Sequence, residues 1–234
     1  MIKFSLPGFS AIILVLFEVT SHAGPVSGQG TWETTLHERD LDGNAANGPE
    51  AFYDSELDIT WLAAGTSIRM DWYAAKAWAE QDRFGLHGWR LPDTVYQGCN
   101  WSWYGGTDCG YGPDSSIATG SEMAHLFFET LGNKTAYVNP LYLQPDFGLS
   151  NTGHFLNLMS DGYYSHTEYQ NPMYHYYFDN SKGYQYVDVD RRFLFAKAVL
   201  DGDVGMTVPE PQTIVLTIAS LVALAFTRRR YRRT

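Results

Sequence analysis

The chain has 234 residues, a net charge of −10, and 15% aromatic side chains contributed by 7 Trp, 16 Tyr and 13 Phe. Its Lys and Arg form no cluster outside the extreme C-terminus, which argues against nucleic acid as a partner, because phosphate binding needs clustered cations. The length suits one domain with a real core once the two ends are set aside.

The N-terminal end reads as a signal peptide over residues 1–23. Lys3 supplies the positive start, 9–17 the apolar stretch, and Ser21-His22-Ala23 ends on a small residue suited to signal peptidase. Glu18 sits at the end of the apolar stretch and blurs the cleavage point; the alternative is a buried N-terminal strand. Residues 1–23 sum to zero charge and residues 209–234 to +4, so the body at 24–208 carries about −14. Such a body fits a secreted protein that dissolves well.

Residues 24–51 form a leader and first strand. Gly, Pro and Ser make 24–30 loose, 31–36 is the strand, and 39–50 is a polar turn region. Residues 52–62 (Phe-Tyr-Asp-Ser-Glu-Leu-Asp-Ile-Thr-Trp-Leu) read as a strand pair turning at 54–56. A helix is predicted over 70–84, because Trp72, Ala75, Trp78 and Ala79 make one apolar stripe that Gly85 and Gly88 terminate. An irregular, glycine-rich stretch follows over 96–116. A second helix is predicted over 120–131, with Thr119 and Glu122 as a capping box, a buried face of Met123, Leu126, Phe127 and Thr130, and a stop at Gly132-Asn133. Strands are expected over 162–168, 173–179, 183–189 and 193–199. Two early helices and a late antiparallel meander define an α+β domain.

Cys99 and Cys109 are the only cysteines, and the loop between them holds Trp101, Trp103 and Tyr104 beside two glycines. An even pair in an exported chain is most simply a disulfide, and closing so short a loop stabilises by about 2–3 kcal/mol. The spacing matches neither a redox Cys-x-x-Cys nor a structural zinc site.

At the C-terminal end, Pro209-Glu210-Pro211 precedes a 14-residue apolar run at 213–226 and then Arg228, Arg229, Arg230, Arg232 and Arg233. As helix the run spans about 21 Å, short of a hydrocarbon core of roughly 30 Å. The basic cluster should stay cytoplasmic while everything before it is exported. Residues 208–234 resemble the PEP-CTERM sorting signal. The resemblance implies a membrane protease-transpeptidase that recognises Pro-Glu-Pro and removes the tail, after transient anchoring in the inner membrane, leaving the body at the cell surface or in the extracellular matrix. The alternative is an ordinary short C-terminal anchor.

Over 52–207 the body resembles the Lcl C-terminal, or DUF1566, family. The strings that carry this are Trp72-x-x-Ala75-x-x-Trp78-Ala79, Gly88-Trp89-Arg90-Leu91-Pro92, Tyr164-Ser165-x-Thr167-Glu168 and Ala198-Val199. The resemblance implies a C-type-lectin-like fold, related to that of formylglycine-generating enzymes, with two helices packed on short antiparallel strands and aromatic-rich loops. Two departures stand out: Tyr164 replaces a common Trp, and Leu200 replaces a common Arg, removing a charge that might have paired inside. Arg90 has two readings, a loop-locking ion pair or a contact to an anionic sugar.

No coherent catalytic set emerges. The cysteine pair lies too early for the copper site of the formylglycine-generating enzymes. Ser165, His166 and Glu168 are strand neighbours that cannot converge as a triad. His154, His166 and His175, with Glu168 nearby, are the nearest to a metal set, yet lack the spacing of zinc enzymes. Asp40, Asp42 and Asn44 place oxygens at alternate positions of a turn, a weak calcium pattern out of register with an EF-hand. Gln144-Pro145-Asp146 equals the galactose-type tripeptide of C-type lectins, but the Trp-Asn-Asp partner that completes that site is absent unless Phe178-Asp179-Asn180 stands in for it. The aromatic load of the Cys99–Cys109 loop is the stronger pointer to binding. The expectation is an exported, non-catalytic surface or matrix module that binds exopolysaccharide or another envelope component. The alternatives are a metal-dependent enzyme of the same broad fold and a structural matrix protein without a defined ligand.

Overall fold

The computed structural model describes residues 23–94, 121–139, 142–189 and 191–205. Outside the described residues lie 1–22 of the expected signal peptide, the Cys99–Cys109 loop with Trp101, Trp103 and Tyr104, the expected cap Thr119, and the Pro209-Glu210-Pro211 tail.

The first element is a helical turn, α1 (Trp32–Thr35), followed by β1 (Leu36–Arg39). The expected strand over 31–36 therefore begins as helix. The amide of Thr35 and the hydroxyls of Thr34 and Thr35 all donate to the carbonyl of Thr31, at 3.0, 2.9 and 3.1 Å. These local bonds outcompete a strand ladder. The predicted strand pair is present as β2 (Ala51–Asp54) and β3 (Ile59–Leu62). Its turn is fixed by Asp54, whose Oδ1 accepts from the amides of Glu56 (3.0 Å) and Leu57 (3.3 Å).

The first helix, α2 (Trp72–Ala79), is shorter than the 70–84 expected. Met70 exchanges two backbone hydrogen bonds with Leu194 in an isolated antiparallel bridge, and Asp71 caps by accepting from the Ala74 amide at 2.8 Å. At the other end Arg83 donates to the carbonyls of Trp78, Ala79 and Gln81, satisfying the last turn. The second helix, α3 (Glu122–His125), runs into a π-helical turn at Leu126–Thr130, where the Leu131 amide reaches the Leu126 carbonyl at 2.9 Å. Its N-cap is Ser121 rather than the expected Thr119, and Glu122 turns to Arg90 instead of reaching back. The predicted face of Met123, Leu126, Phe127 and Thr130 is buried.

A small hairpin, β4 (Tyr137–Asn139) and β5 (Tyr142–Leu143), was not expected from the sequence. The late meander, β6 (Gly162–Glu168), β7 (Tyr174–Asp179) and β8 (Tyr184–Val189), stands where the pattern placed it. The fourth late strand does not form over 193–199. Only β9 (Val199–Asp201) is a strand, while Leu194 bridges Met70 and Phe195 bridges Tyr163. The segment splits its pairing among three neighbours, so no single ladder runs its length.

The sheets are antiparallel, in the orders β1-β2-β3-β9, β6-β7-β8 and β4-β5, making an α+β domain with few helices. Successive strand residues enter different clusters. Phe52, Trp61, Tyr163, Phe178 and Val199 join one core, and Ala51, Leu62, Tyr164, Tyr177 and Ala198 the other. With a side-chain period of two, these strands are buried on both faces. That explains a core so rich in Trp, Tyr and Phe, since few long elements are available to fill it.

Candidate functional site

The late loop at 149–161 is folded over the end of the first core by an asparagine. Asn151 is fully buried and uses its whole hydrogen-bonding capacity. Its Nδ2 donates to the carbonyls of Gln29 (3.0 Å) and Leu131 (2.9 Å), and its Oδ1 accepts from the amides of Val26 and Gly153, both at 2.9 Å. One side chain thus ties the N-terminal segment, the end of the π turn and the late loop together. Gly30 and Gly132 meet backbone to backbone beside it. Both have positive φ, and a Cβ on Gly30 would lie 2.4 Å from the Thr130 carbonyl oxygen.

The loop continues over Tyr163, whose hydroxyl accepts from the Met159 amide at 2.6 Å and donates to the Asn157 carbonyl at 3.0 Å. Burial pushes the Tyr163 phenol well above its ordinary range, the Met159 bond lowers it slightly and the charge of Asp161 raises it further, so the hydroxyl stays a neutral strut. Next to it Arg69 forms an ion pair with Asp161, and its guanidinium lies 5.6 Å from the centre of the Phe195 ring.

Between these parts lies an open groove of about 640 Å³. Its walls include Phe155, Leu156, Leu158, Phe195, Arg69 and Asp161, and Ala23 and Thr152 also line it. Leu156 is 61% exposed there, and Thr152, Asn157 and Ser160 are uncharged polar residues of the lining. The size falls within the roughly 300–1,000 Å³ of small-molecule sites, and an apolar floor with a few fixed polar groups is their usual composition. A second, smaller cavity of about 190 Å³ lies between Trp32, Phe52 and His154.

Arg90 lies in a different part of the molecule. Its backbone pairs with Val199, and its guanidinium meets both oxygens of Glu122 at 2.8 Å, Asp201 at 2.5 Å and Asp93 at 3.4 Å. Glu122 also accepts from the Asp93 amide at 2.7 Å. Pro92 accepts from the amide of His166 and the hydroxyl of Ser165. The Gly88-Trp89-Arg90-Leu91-Pro92 string therefore clamps β9, α3 and β6 together, the loop-locking one of its two readings. Burial lowers the guanidinium pKa, but the hydrogen bond and charge of Glu122, with Asp201 and Asp93, outweigh it and hold the group firmly ionised. Leu200 packs half-buried against the second core.

The three histidines go to separate places. His154 faces Glu38 at 3.6 Å, His166 faces Asp93 at 3.0 Å, and His175 is stacked on Trp72 with ring centres 3.9 Å apart. Among the described residues, the His, Cys, Asp and Glu groups that bring ligand atoms within 4.8 Å of one another are Asp54–Glu56–His125 and Asp40–Asp42–Glu50. In the first, the Asp54 carboxylate is fully buried and already accepts from two amides. Burial raises its pKa, against the lowering effects of His125 and of those amides. In the second, Glu50 takes the place the sequence gave to Asn44. Asp40 accepts from the amides of Gly43 and Asn44, Asp42 accepts from Asn44, and Asn44 itself accepts from Ala46. These oxygens build a turn that holds its shape through its own amides. Gln144 donates to the Thr135 carbonyl and Asp179 accepts from Ser181, so both members of the lectin-like pair are tied into local turns.

No protein-family model matches the chain, and no curated protein or solved structure is significantly similar to it. The groove rests on its own geometry. Sequence reasoning passed over it because Arg69 and Asp161 are 92 positions apart and neither belongs to a motif. The local clue was a run of apolar residues, Phe155, Leu156, Leu158 and Met159, in a segment with no strand or helix period.

Proposed function

We propose that this chain is an exported, non-catalytic module of the cell surface or extracellular matrix that binds a polysaccharide of the envelope. In this reading it is a DUF1566-type domain of C-type-lectin-like fold, released by signal peptidase and by a PEP-CTERM protease-transpeptidase. The groove over Phe155 and Phe195 carries the reading. Aromatic and aliphatic surface suits the apolar face of a sugar ring, and the hydroxyls of Thr152 and Ser160, the loop backbone and the Arg69–Asp161 pair suit its hydroxyls. The acidic, aromatic-rich body and the two terminal segments that read as export and sorting devices agree with it.

The test is a glycan and exopolysaccharide screen on the exported protein, with and without calcium. Arg69→Ala and Leu156→Ser should each weaken binding by about 1–2 kcal/mol with the thermal melt unchanged. Trp101→Ala and Trp103→Ala test the aromatic loop in the same assay. An effect of those two alone would move the site from the groove to that loop. Binding to no glycan would refute the proposal.

A further inference from the structure

We infer that the α-amino group of Gly24, freed when the leader is cut after Ala23, is a ligand-binding cation in the groove, and that the ligand it selects carries a carboxylate, as a uronic acid does. The inference rests on the polysaccharide-binding reading and adds the ligand's charge to it.

Ala23 lines the groove beside Thr152, and its carbonyl carbon is bonded to the Gly24 nitrogen. A cut between them removes one lining residue and leaves a primary amine in its place. That amine is held in position. The Gly24 carbonyl accepts from the Thr152 amide at 3.2 Å, Gly24 bridges Asn151, and the Val26 amide donates to the buried Asn151 Oδ1 at 2.9 Å. The Val26 carbonyl in turn accepts from the Trp32 indole at 3.3 Å. An N-terminus is ordinarily loose unless something ties it down; here three hydrogen bonds within three residues do so.

Charge then decides the partner. Of the described residues that line the groove, only Arg69 and Asp161 are charged, and they form an ion pair with each other. Before the cut the groove is close to neutral. After it, the Gly24 ammonium adds a positive charge with no carboxylate of the lining to meet it. A sugar carboxylate supplies the missing partner, and its ring lies over the apolar floor. The body's charge of about −14 opposes a long polyanion, but salt screens that field beyond roughly 8 Å. A short uronic oligomer is therefore the appropriate probe.

The experiment uses the wild-type protein recovered from the exported fraction. Mass spectrometry should place its first residue at Gly24. An α-amine titrates near 8 and lysine near 10.4, so mild acetylation at a pH of about 6.5 blocks the terminus ahead of the side chains. Binding of trigalacturonate and of its methyl ester is then measured before and after blocking. The acid should bind the native protein and weaken about two- to fivefold on blocking, the upper range of one partly exposed ion pair. The ester should bind both forms alike, and the melting temperature should not move. A mature chain beginning elsewhere, or equal affinity of both forms for the acid, overturns the inference. If the ester still binds in that case, the polysaccharide-binding module stands without it. If neither saccharide binds the native protein, this inference falls, and the glycan screen decides the polysaccharide-binding reading separately.

Discussion

Arg90 and Lys197 are cations taken into the same part of the fold by neighbouring backbones, since Arg90 pairs with Val199, two residues after Lys197. They are received in opposite ways. Arg90 keeps 16% of its side chain exposed and meets carboxylates of Glu122, Asp201 and Asp93. Lys197 has no exposure at all. Its Nζ donates to the Leu62 carbonyl at 2.9 Å and lies 3.9 Å from the centre of the Phe155 ring. No regular strand covers Lys197, but the residues two before and two after it, Phe195 and Val199, both belong to the first core, and Lys197 is buried with them. A carbonyl and an aromatic face offset only part of the loss of water around an ammonium. Burial accordingly lowers the Lys197 amine to about 7, while the carboxylates around Arg90 hold it ionised. A half-buried cation with carboxylates and a fully buried one without them should therefore act on stability in opposite directions.

Arg90→Leu should give the largest change. It leaves Glu122 facing Asp93 and Asp201 without a counter-ion, and breaking a buried pair from one side costs about 3–5 kcal/mol. Urea unfolding of the exported body at pH 7 measures it. Arg90→Lys should recover only part of the loss, because an ammonium cannot make the two-pronged contact to Glu122. A loss below about 1 kcal/mol in Arg90→Leu would mean that the clamp between α3, β9 and the Gly88–Pro92 string is redundant.

Lys197→Met should move stability the other way, by about +2 to +4 kcal/mol, since it keeps the packing and removes the charge. The pH profile sharpens the point. Free lysine titrates near 10.4 and the folded amine near 7, so between these values the unfolded chain binds the extra proton. Stability of the wild type should rise as pH increases from about 7 toward 10, and below 7 the penalty is constant. Above 10 the trend should reverse. Tyr163 and Tyr177 are held protonated in the fold chiefly by burial, while the unfolded chain loses those protons. Melting temperatures between pH 6.5 and 10 should therefore climb for the wild type and stay flat for Lys197→Met. A flat wild-type profile would show that water reaches the amine.

The contrast between these cations was half legible in the sequence. Arg90 stood between apolar residues after a glycine turn, and that pattern pointed to an ion pair that locks a loop. The partners were not legible. Glu122 looked like the far half of a capping box, because a Ser/Thr-x-x-Glu spacing says nothing about a guanidinium 32 positions away. Lys197 passed unnoticed, since a lysine between alanines reads as the polar tooth of a half-buried strand. Its burial follows from strands covered on both faces, which alternation alone does not reveal. The meander of β6, β7 and β8 was readable because each strand carries at least two tyrosines and is bounded by turn residues. Arg69, Asp161 and Asn151 were not, because the groove exists only where distant loops meet.

The pair of Arg39 with Asp203 supplies the third point of the comparison and the smallest expected effect. Its geometry matches the two-pronged contact at Arg90, with Nε and a terminal nitrogen each 2.7 Å from a carboxylate oxygen. Its setting differs, since Asp203 is 43% exposed against 13% for Glu122. The hydrogen bond from Arg39 lowers the Asp203 carboxyl below its ordinary range, but water competes for the same oxygens. Asp203→Asn should therefore cost less than about 1 kcal/mol, and 0.5 M salt should remove most of that difference. The same salt should leave the loss in Arg90→Leu nearly unchanged. If Asp203→Asn instead costs as much as Arg90→Leu, two-pronged geometry rather than burial sets the strength of these pairs. The contrast between Arg90 and Lys197 would then need a different cause.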